Sequence, residues 1–176
     1  MMEKNRVSLA DCDIAIDRDI FLRNLLRELT GTLEEVVGLD EAAGFVSIVG
    51  RHIGEWMDVQ YRKALNAGEL SLPQVGEVLV DLKRRIQGGF AITSIDKEKI
   101  VLVNTRCPFG EKVLQRPSLC MMTSNVFGTV TAENLGYAKV CLRETIAQGD
   151  QQCQVIIYLQ LNETSNQDEG REYFKS

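Results

Sequence analysis

Gly88-Gly89-Phe90-Ala91-Ile92-Thr93-Ser94-Ile95-Asp96-Lys97-Glu98-Lys99-Ile100-Val101-Leu102-Val103-Asn104 is where the chain changes its period. Two short β-branched runs, Phe90–Ile95 and Lys99–Asn104, flank the polar triplet Asp96-Lys97-Glu98, which is the pattern of a β-hairpin. From Arg18 up to Gly88 the chain has a helical period, and beyond Asn104 it mixes one helix with two more strands.

Upstream, Leu22, Leu25, Leu26, Leu29, Leu33, Val36 and Val37 recur at steps of three and four, which predicts a helix from Arg18. Asp17 can cap it and Gly38 can end it. A glycine inside it, Gly31, costs about 1 kcal/mol relative to alanine, so packing must compensate. A second helix follows Asp40, carries Phe45, Val46, Val49, Ile53, Trp56 and Met57, and runs to about Leu65. Gly44, Gly50 and Gly54 lie within it, as expected where another backbone comes close, either across a dimer or inside one subunit. Ser71-Leu72-Pro73-Gln74 is a capping box with proline in the first turn, and it opens a third helix that ends at Gly88-Gly89.

Downstream, Cys107-Pro108 begins a loop with a helical turn at Gly110–Gln115. Ser118 is the expected cap of a fourth helix reaching Leu135, with Gly136 as its stop. Ala138–Arg143 and Gln154–Leu161 are the last two strands. The predicted fold class is therefore α+β: N-terminal helices, then an antiparallel sheet in the order β-β-α-β-β with one helix packed across it. The expected organisation is a disordered start (1–16), one domain over 17–161 (helical to 87, α+β from 88) and a flexible tail over 162–176.

With 44% apolar and 26% charged residues and a net charge of −5, the chain has the composition of an ordinary globular protein without general attraction for nucleic acid or anionic membrane. Lys83-Arg84-Arg85, its one short basic run, has the look of a solvated helix face. No apolar run approaches the roughly 20 residues of a membrane span, and Met1–Arg6 leads into no signal-peptide core. The expected location is the cytoplasm, where five cysteines are not structural disulfides.

The cysteines are the only hint of chemistry. Twelve residues separate Cys107 from Cys120 and thirty-two separate Cys120 from Cys153. This is not the paired spacing of a zinc ribbon. Cys107 follows a strand. Cys120 falls in the first turn of a helix, where the dipole favours thiolate. Cys153 starts a strand behind the turn at Gly149-Asp150. If the hairpins flank the helix, the three thiols converge, and with one further ligand they would suit zinc or one corner of an iron–sulfur cluster. Cys141, Glu144 and Asp150 are candidates for the fourth position. The alternative is that all are small buried hydrophobes. Cys12 lies in the unstructured start. His52, the only histidine, sits on the second helix away from the cysteines. No nucleophile elbow or phosphate loop is present.

Cys107-Pro108-Phe109-Gly110, the run Pro117-Ser118-Leu119-Cys120-Met121-Met122-Thr123-Ser124-Asn125-Val126-Phe127-Gly128, Glu133–Val140, and Gly149-Asp150 with Cys153 resemble the methanogen output domain family. Asp17–Leu26 and Val80–Gln87 extend the resemblance over roughly residues 17–161. More distantly the layout is similar to 4-vinyl reductase-like and heme–NO-binding-like small-ligand domains, and the Cys-x12-Cys start resembles cluster-binding bacterial repressors. The resemblance implies a regulatory or sensory domain of signal transduction. It implies a small ligand, or a metal such as zinc, held through cysteines. Cys107, Cys120 and Cys153 match the family's cysteines, whereas Cys141 and Cys12 do not. With no DNA-binding helix-turn-helix in the sequence, the expected partners are a second copy, through the N-terminal helices, or a signalling protein. A small thiol-dependent or reductase-like enzyme using Cys120, and an interaction module with inert core thiols, are the competing functions.

Overall fold

The computed structural model describes residues 16–176. The expectation of disorder over 1–16 and the reading of Cys12 fall on residues 1–15, outside that range. Five helices are present among the described residues: α1 (Arg18–Val37), α2 (Leu39–Ala64), α3 (Leu72–Arg85), α4 (Cys120–Leu135) and the short α5 (Glu163–Gln167). The strands are β1 (Phe90–Ile95), β2 (Lys99–Asn104), β3 (Tyr137–Glu144), β4 (Cys153–Tyr158) and β5 (Arg171–Phe174). They form one antiparallel sheet in the order β1-β2-β4-β3-β5. The α+β class expected from the sequence is the class observed. None of the helices is long and apolar enough to cross a membrane among the described residues.

Alternation along β2 and β4 sends Ile100, Leu102, Val155 and Ile157 into the core. There they meet α4, which lies across that face. Ser124 to Ala132 of α4 are all buried, because α2 covers the side turned away from the sheet. A helix with no charge before Glu133 is suited to burial all round. Gly50 and Gly54 explain how α2 comes so near. A Cβ at Gly50 would lie 2.8 Å from Asn125 Cβ, and one at Gly54 would lie 2.9 Å from Thr129 Cβ. Of the two expectations for these glycines, close packing inside one subunit is the one observed. Gly44 meets nothing within 4 Å.

Asp58 of α2 is buried, pairs with Arg62 at 2.7 Å and accepts a 2.6 Å bond from Asn134 Nδ2. Asn134 Oδ1 in turn accepts from the Leu70 amide. This ties the end of α4 to α2 and to the entry of α3, where the Ser71–Gln74 capping box forms as expected.

α1 begins at the Asp17 cap and ends at Gly38. It docks on the segment between β2 and α4. Arg27 Nη1 donates to the carbonyls of Lys112 (2.6 Å) and Leu114 (2.8 Å). The Arg116 guanidinium lies on Gly31, where a Cβ would come within 2.7 Å of its Nε. That contact is the compensation an interior glycine requires.

Two expectations are corrected. Pro117–Leu119 is a 3-10 turn and α4 starts at Cys120, so Ser118 does not cap the helix. Its hydroxyl instead donates to Glu34 Oε1 of α1 at 2.5 Å. Residues 162–176 are not a frayed tail. Asn162 and Ser165 form a capping box that starts α5, Lys139 Nζ donates to the Ser165 carbonyl at 2.7 Å, and β5 adds a fifth strand beside β3. Tyr173, alone of β5, turns inward. Its ring lies against Gly128 and its hydroxyl bonds Ser124 Oγ at 2.9 Å.

A Cβ at Gly128 would overlap the Tyr173 ring. Gly128→Ala is therefore expected to destabilise the protein by about 1–3 kcal/mol through overpacking, while Gly44→Ala, in open space, stabilises it by about 0.5–1 kcal/mol. Urea denaturation of the two variants checks the pair; equal effects at both sites would contradict the packing of β5 on α4.

Candidate functional site

The end of the sheet gathers the three sequence-predicted thiols. Cys153 opens β4 directly opposite Asn104, the last residue of β2. Asn104 is 1% exposed, and its Oδ1 accepts from the Gly89 amide (3.0 Å) and the Arg106 amide (3.1 Å). This bond pair turns the chain out of β2 and sets Cys107 beside the sheet end. Asn104 Nδ2 lies 3.9 Å from Cys153 Sγ, which also accepts from the Ile146 amide at 3.4 Å. Cys120, the first residue of α4, completes the group from the helix side.

Together with Asn104, Thr123 and Phe90, these thiols line a cavity of about 30 Å³ closed by Phe109, Val113, Leu119 and Ile146. A water needs roughly 10–15 Å³ in such a cavity, so the space suits two or three heavy atoms. A second, more open groove of about 530 Å³ adjoins it and shares Cys120, Leu142 and Thr145 as a common wall. Asp40, Met121, Val140 and Arg171 line its other side. That volume lies in the range of ordinary small-molecule sites.

Two of the thiols, Cys107 and Cys120, are held toward the protonated form. Burial pushes the Cys120 thiol up to about 12, with Cys153 and Cys107 adding to the shift. Burial also raises Cys107, against the backbone N–H groups of Phe109 and Gly110. The helix-start thiolate expected at Cys120 is thus overturned, because loss of water at the sheet–helix junction outweighs the dipole. A protonated thiol is a weak nucleophile and a weak metal ligand. Among the described residues, no group of three or more His, Cys, Asp and Glu side chains is placed to hold a metal ion. Cys141 is buried elsewhere on β3, against Gly170. Glu144 accepts from Gln152 and Asp150 accepts from the Thr145 amide. His52 is exposed on α2.

The residue that sequence reasoning missed is Lys83. Arg84 and Arg85 of the same basic run are exposed and pair with Asp81, as a solvated face would. Lys83 is 3% exposed. Its Nζ donates to Thr123 Oγ1 at 2.8 Å and lies 5.2 Å and 5.6 Å from the ring centroids of Phe127 and Phe90. Burial draws its pKa down to about 8, against the pull of Cys107, Cys120 and Cys153. The available signal was the helical step Val75-Val78-Leu79-Leu82, whose apolar stripe leads to position 83 as well as to 82 and 86.

The Lys83 shift fixes a pH dependence. The folded protein loses this proton near pH 8, the unfolded chain near its ordinary value of 10.5. Between these values the unfolded state binds more protons, so the Lys83 contribution to stability rises with pH and is least favourable below 8. Cys120 acts in the opposite sense above about 9, where its unfolded thiol begins to ionise. Lys83→Met is accordingly expected to be more stable than wild type at pH 7, with a smaller margin at pH 9, in urea denaturation at both values. An equal margin at the two would show that no buried ammonium is present.

Comparison with known proteins gives a family and a fold. The profile of the family described as Methanogen output domain 1 matches residues 25–158. No curated protein matches. Among solved structures, the phenol-responsive sensory domain of the transcription activator PoxR, solved with phenol, superposes with a TM-score of 0.66 at 15% identity, covering 82% of this chain and 78% of that one. An Fe(II) unliganded H-NOX protein from K. algicida gives 0.56 at 12% identity, over 87% and 79%. A trafficking protein particle complex subunit 3 from Naegleria fowleri, covalently bound to palmitic acid, gives 0.52 at 13% identity, over 89% and 99%. At these identities the structures share the fold alone.

Proposed function

The chain belongs to the Methanogen output domain 1 family, and from that premise we propose that it is a regulatory domain of signal transduction that takes a small ligand at the cavity of Cys107, Cys120 and Cys153. The observation that carries this reading is the convergence of three cysteines, from three separate parts of the chain, on one small cavity. The PoxR neighbour, a sensory domain responsive to phenol, supports a sensory use of the same fold.

The output follows from what the cavity lid touches. Phe109, Val113 and Leu119 close the cavity, and the same segment holds α1 through Arg27 and through the Ser118–Glu34 bond. A ligand that displaces the lid therefore displaces α1. The outer face of α1 and α2 is unusually apolar: Phe21, Leu25, Leu29, Phe45, Val49 and Trp56 are all exposed. Exposed apolar side chains gathered on two adjacent helices mark an interaction site, and a second copy is its occupant in this reading. The dimer would then couple ligand state to the relative placement of two subunits. In sedimentation velocity the wild type is expected to run as a dimer and Leu25→Glu/Val49→Glu as a monomer. Ala147→Met, which fills the cavity, is expected to shift the dimer dissociation constant by at least about fivefold. A monomeric wild type would reject the dimer, and an unshifted constant would reject the coupling.

A second reading is favoured by the same convergence: zinc, or an iron–sulfur cluster, on Cys107, Cys120 and Cys153. It requires the thiols to ionise and close together, and metal binding drives such deprotonation. Metal and absorbance analysis of protein purified without oxygen decides it. About one zinc per chain, or iron with sulfide, lost in Cys120→Ser, would establish the metal; protein free of both leaves the small-ligand reading.

A further inference from the structure

Lys83 has no role in the fold that accounts for its burial. Its ammonium has one hydrogen-bond acceptor, Thr123 Oγ1, and two aromatic faces. None of the ion pairs among the described residues involves it. A buried cation without a counter-charge is strongly unfavourable, and an aromatic face offsets only part of the lost hydration. The three thiols are the ionisable groups that face it.

The position of this charge is informative. Thr123, which accepts its hydrogen bond, and Phe90, whose ring it overlies, both line the thiol cavity. Asn104 lines it as well, and its amide is half used. Oδ1 takes two backbone N–H groups, while Nδ2 has only the long 3.9 Å approach to Cys153 Sγ. So the cavity is offered a donor, the Asn104 amide, backed by a buried positive charge. Thr123 and Thr145 add hydroxyls, and most of the remaining wall is apolar. A donor and a cation beside a small, largely apolar cavity select negative charge, and the volume limits the guest to two or three heavy atoms.

We propose that the thiol cavity is a site for a compact monoanion, attracted by Lys83 and hydrogen-bonded by Asn104 Nδ2. This names the ligand class for the cavity and rests on the reading of that cavity as a ligand site. The bound anion supplies the counter-charge that Lys83 lacks. Uncharged guests of the same size gain no such pairing and are discriminated against. Larger aromatic molecules do not fit this space, and only the neighbouring groove would admit them.

The test is a titration of the full chain with sodium nitrite, sodium formate and neutral methanol, followed by amide chemical shifts in ¹H–¹⁵N spectra. Sodium sulfate, whose five-atom dianion exceeds the cavity, holds the ionic strength constant. The expected result is saturable shifts at Thr123, Ile146 and Cys153 with the two anions, weaker ones with methanol, and an affinity for the anions reduced about tenfold or more in Lys83→Met. If methanol binds as well as the anions, or Lys83→Met leaves the anion affinity unchanged, the anion inference is overturned while the cavity remains a ligand site. If no probe gives saturable shifts in the wild type, both the anion inference and the cavity reading fall. The wild-type titration decides this without reference to the variant's folding.

Discussion

The structure depends on the burial of α4 from both sides. The sheet supplies one wall through Ile100, Leu102, Val155 and Ile157, and α2 supplies the other through Gly50 and Gly54. Close approach of α2 is possible only because those two positions carry no side chain. The approach leaves the α4 backbone and its polar side chains without water, so they must bond within the protein. Most do so: Ser124 bonds Tyr173, Asn125 Nδ2 donates to the Met121 carbonyl, and Asn134 joins Asp58, Leu70 and the Val130 carbonyl, while Thr131 Oγ1 has no partner. The first turn of α4 is held rigidly as a result, and Cys120 with it.

Much of this was legible in the amino-acid sequence because the responsible interactions are local. The Asp17 cap and the Gly38 stop of α1, the Ser71–Gln74 box of α3, and the β1–β2 hairpin around Asp96 all depend on neighbours two to four residues away. The failures are nonlocal. Ser118 has the residue type of a helix cap, but Glu34, 84 residues earlier, takes its hydroxyl. Residues 162–176 are polar and read as a tail, yet strand β5 is fixed by pairing to β3 and by a single inward ring, Tyr173. One buried residue in a four-residue strand leaves no periodic trace.

The candidate site divides in the same way. That Cys107, Cys120 and Cys153 share a location follows from hairpin topology, and the order of elements was enough to expect it. The protonation state of Cys107 and Cys120 was not readable, because it is set by how much water the junction excludes. The local rule that a helix start favours thiolate is outweighed at Cys120 by desolvation. Lys83 was hidden for a related reason. In sequence it belongs to a basic run, but a helix turns 100° per residue, so adjacent cations point in different directions. Arg84 and Arg85 reach Asp81 at the surface, and Lys83 turns under Phe90 and Phe127.

Under the proposed function, these features place a charge, a small cavity and a displaceable output in series. The lid over the cavity consists of short 3-10 turns, Gly110–Val113 and Pro117–Leu119, rather than regular helix or strand. Such turns have few backbone bonds to lose when they shift. The groups behind the cavity are the opposite: Asn104 is fixed by two amides, Cys153 by strand pairing, and Thr123 by the buried helix. A guest therefore meets one rigid wall and one yielding wall, and any strain it introduces passes into the yielding one. That wall is the platform on which Arg27, Glu34 and Gly31 seat α1. The asymmetry gives the displacement a direction, from the sheet end outward to the apolar face of the first two helices, without requiring any rearrangement of the sheet itself.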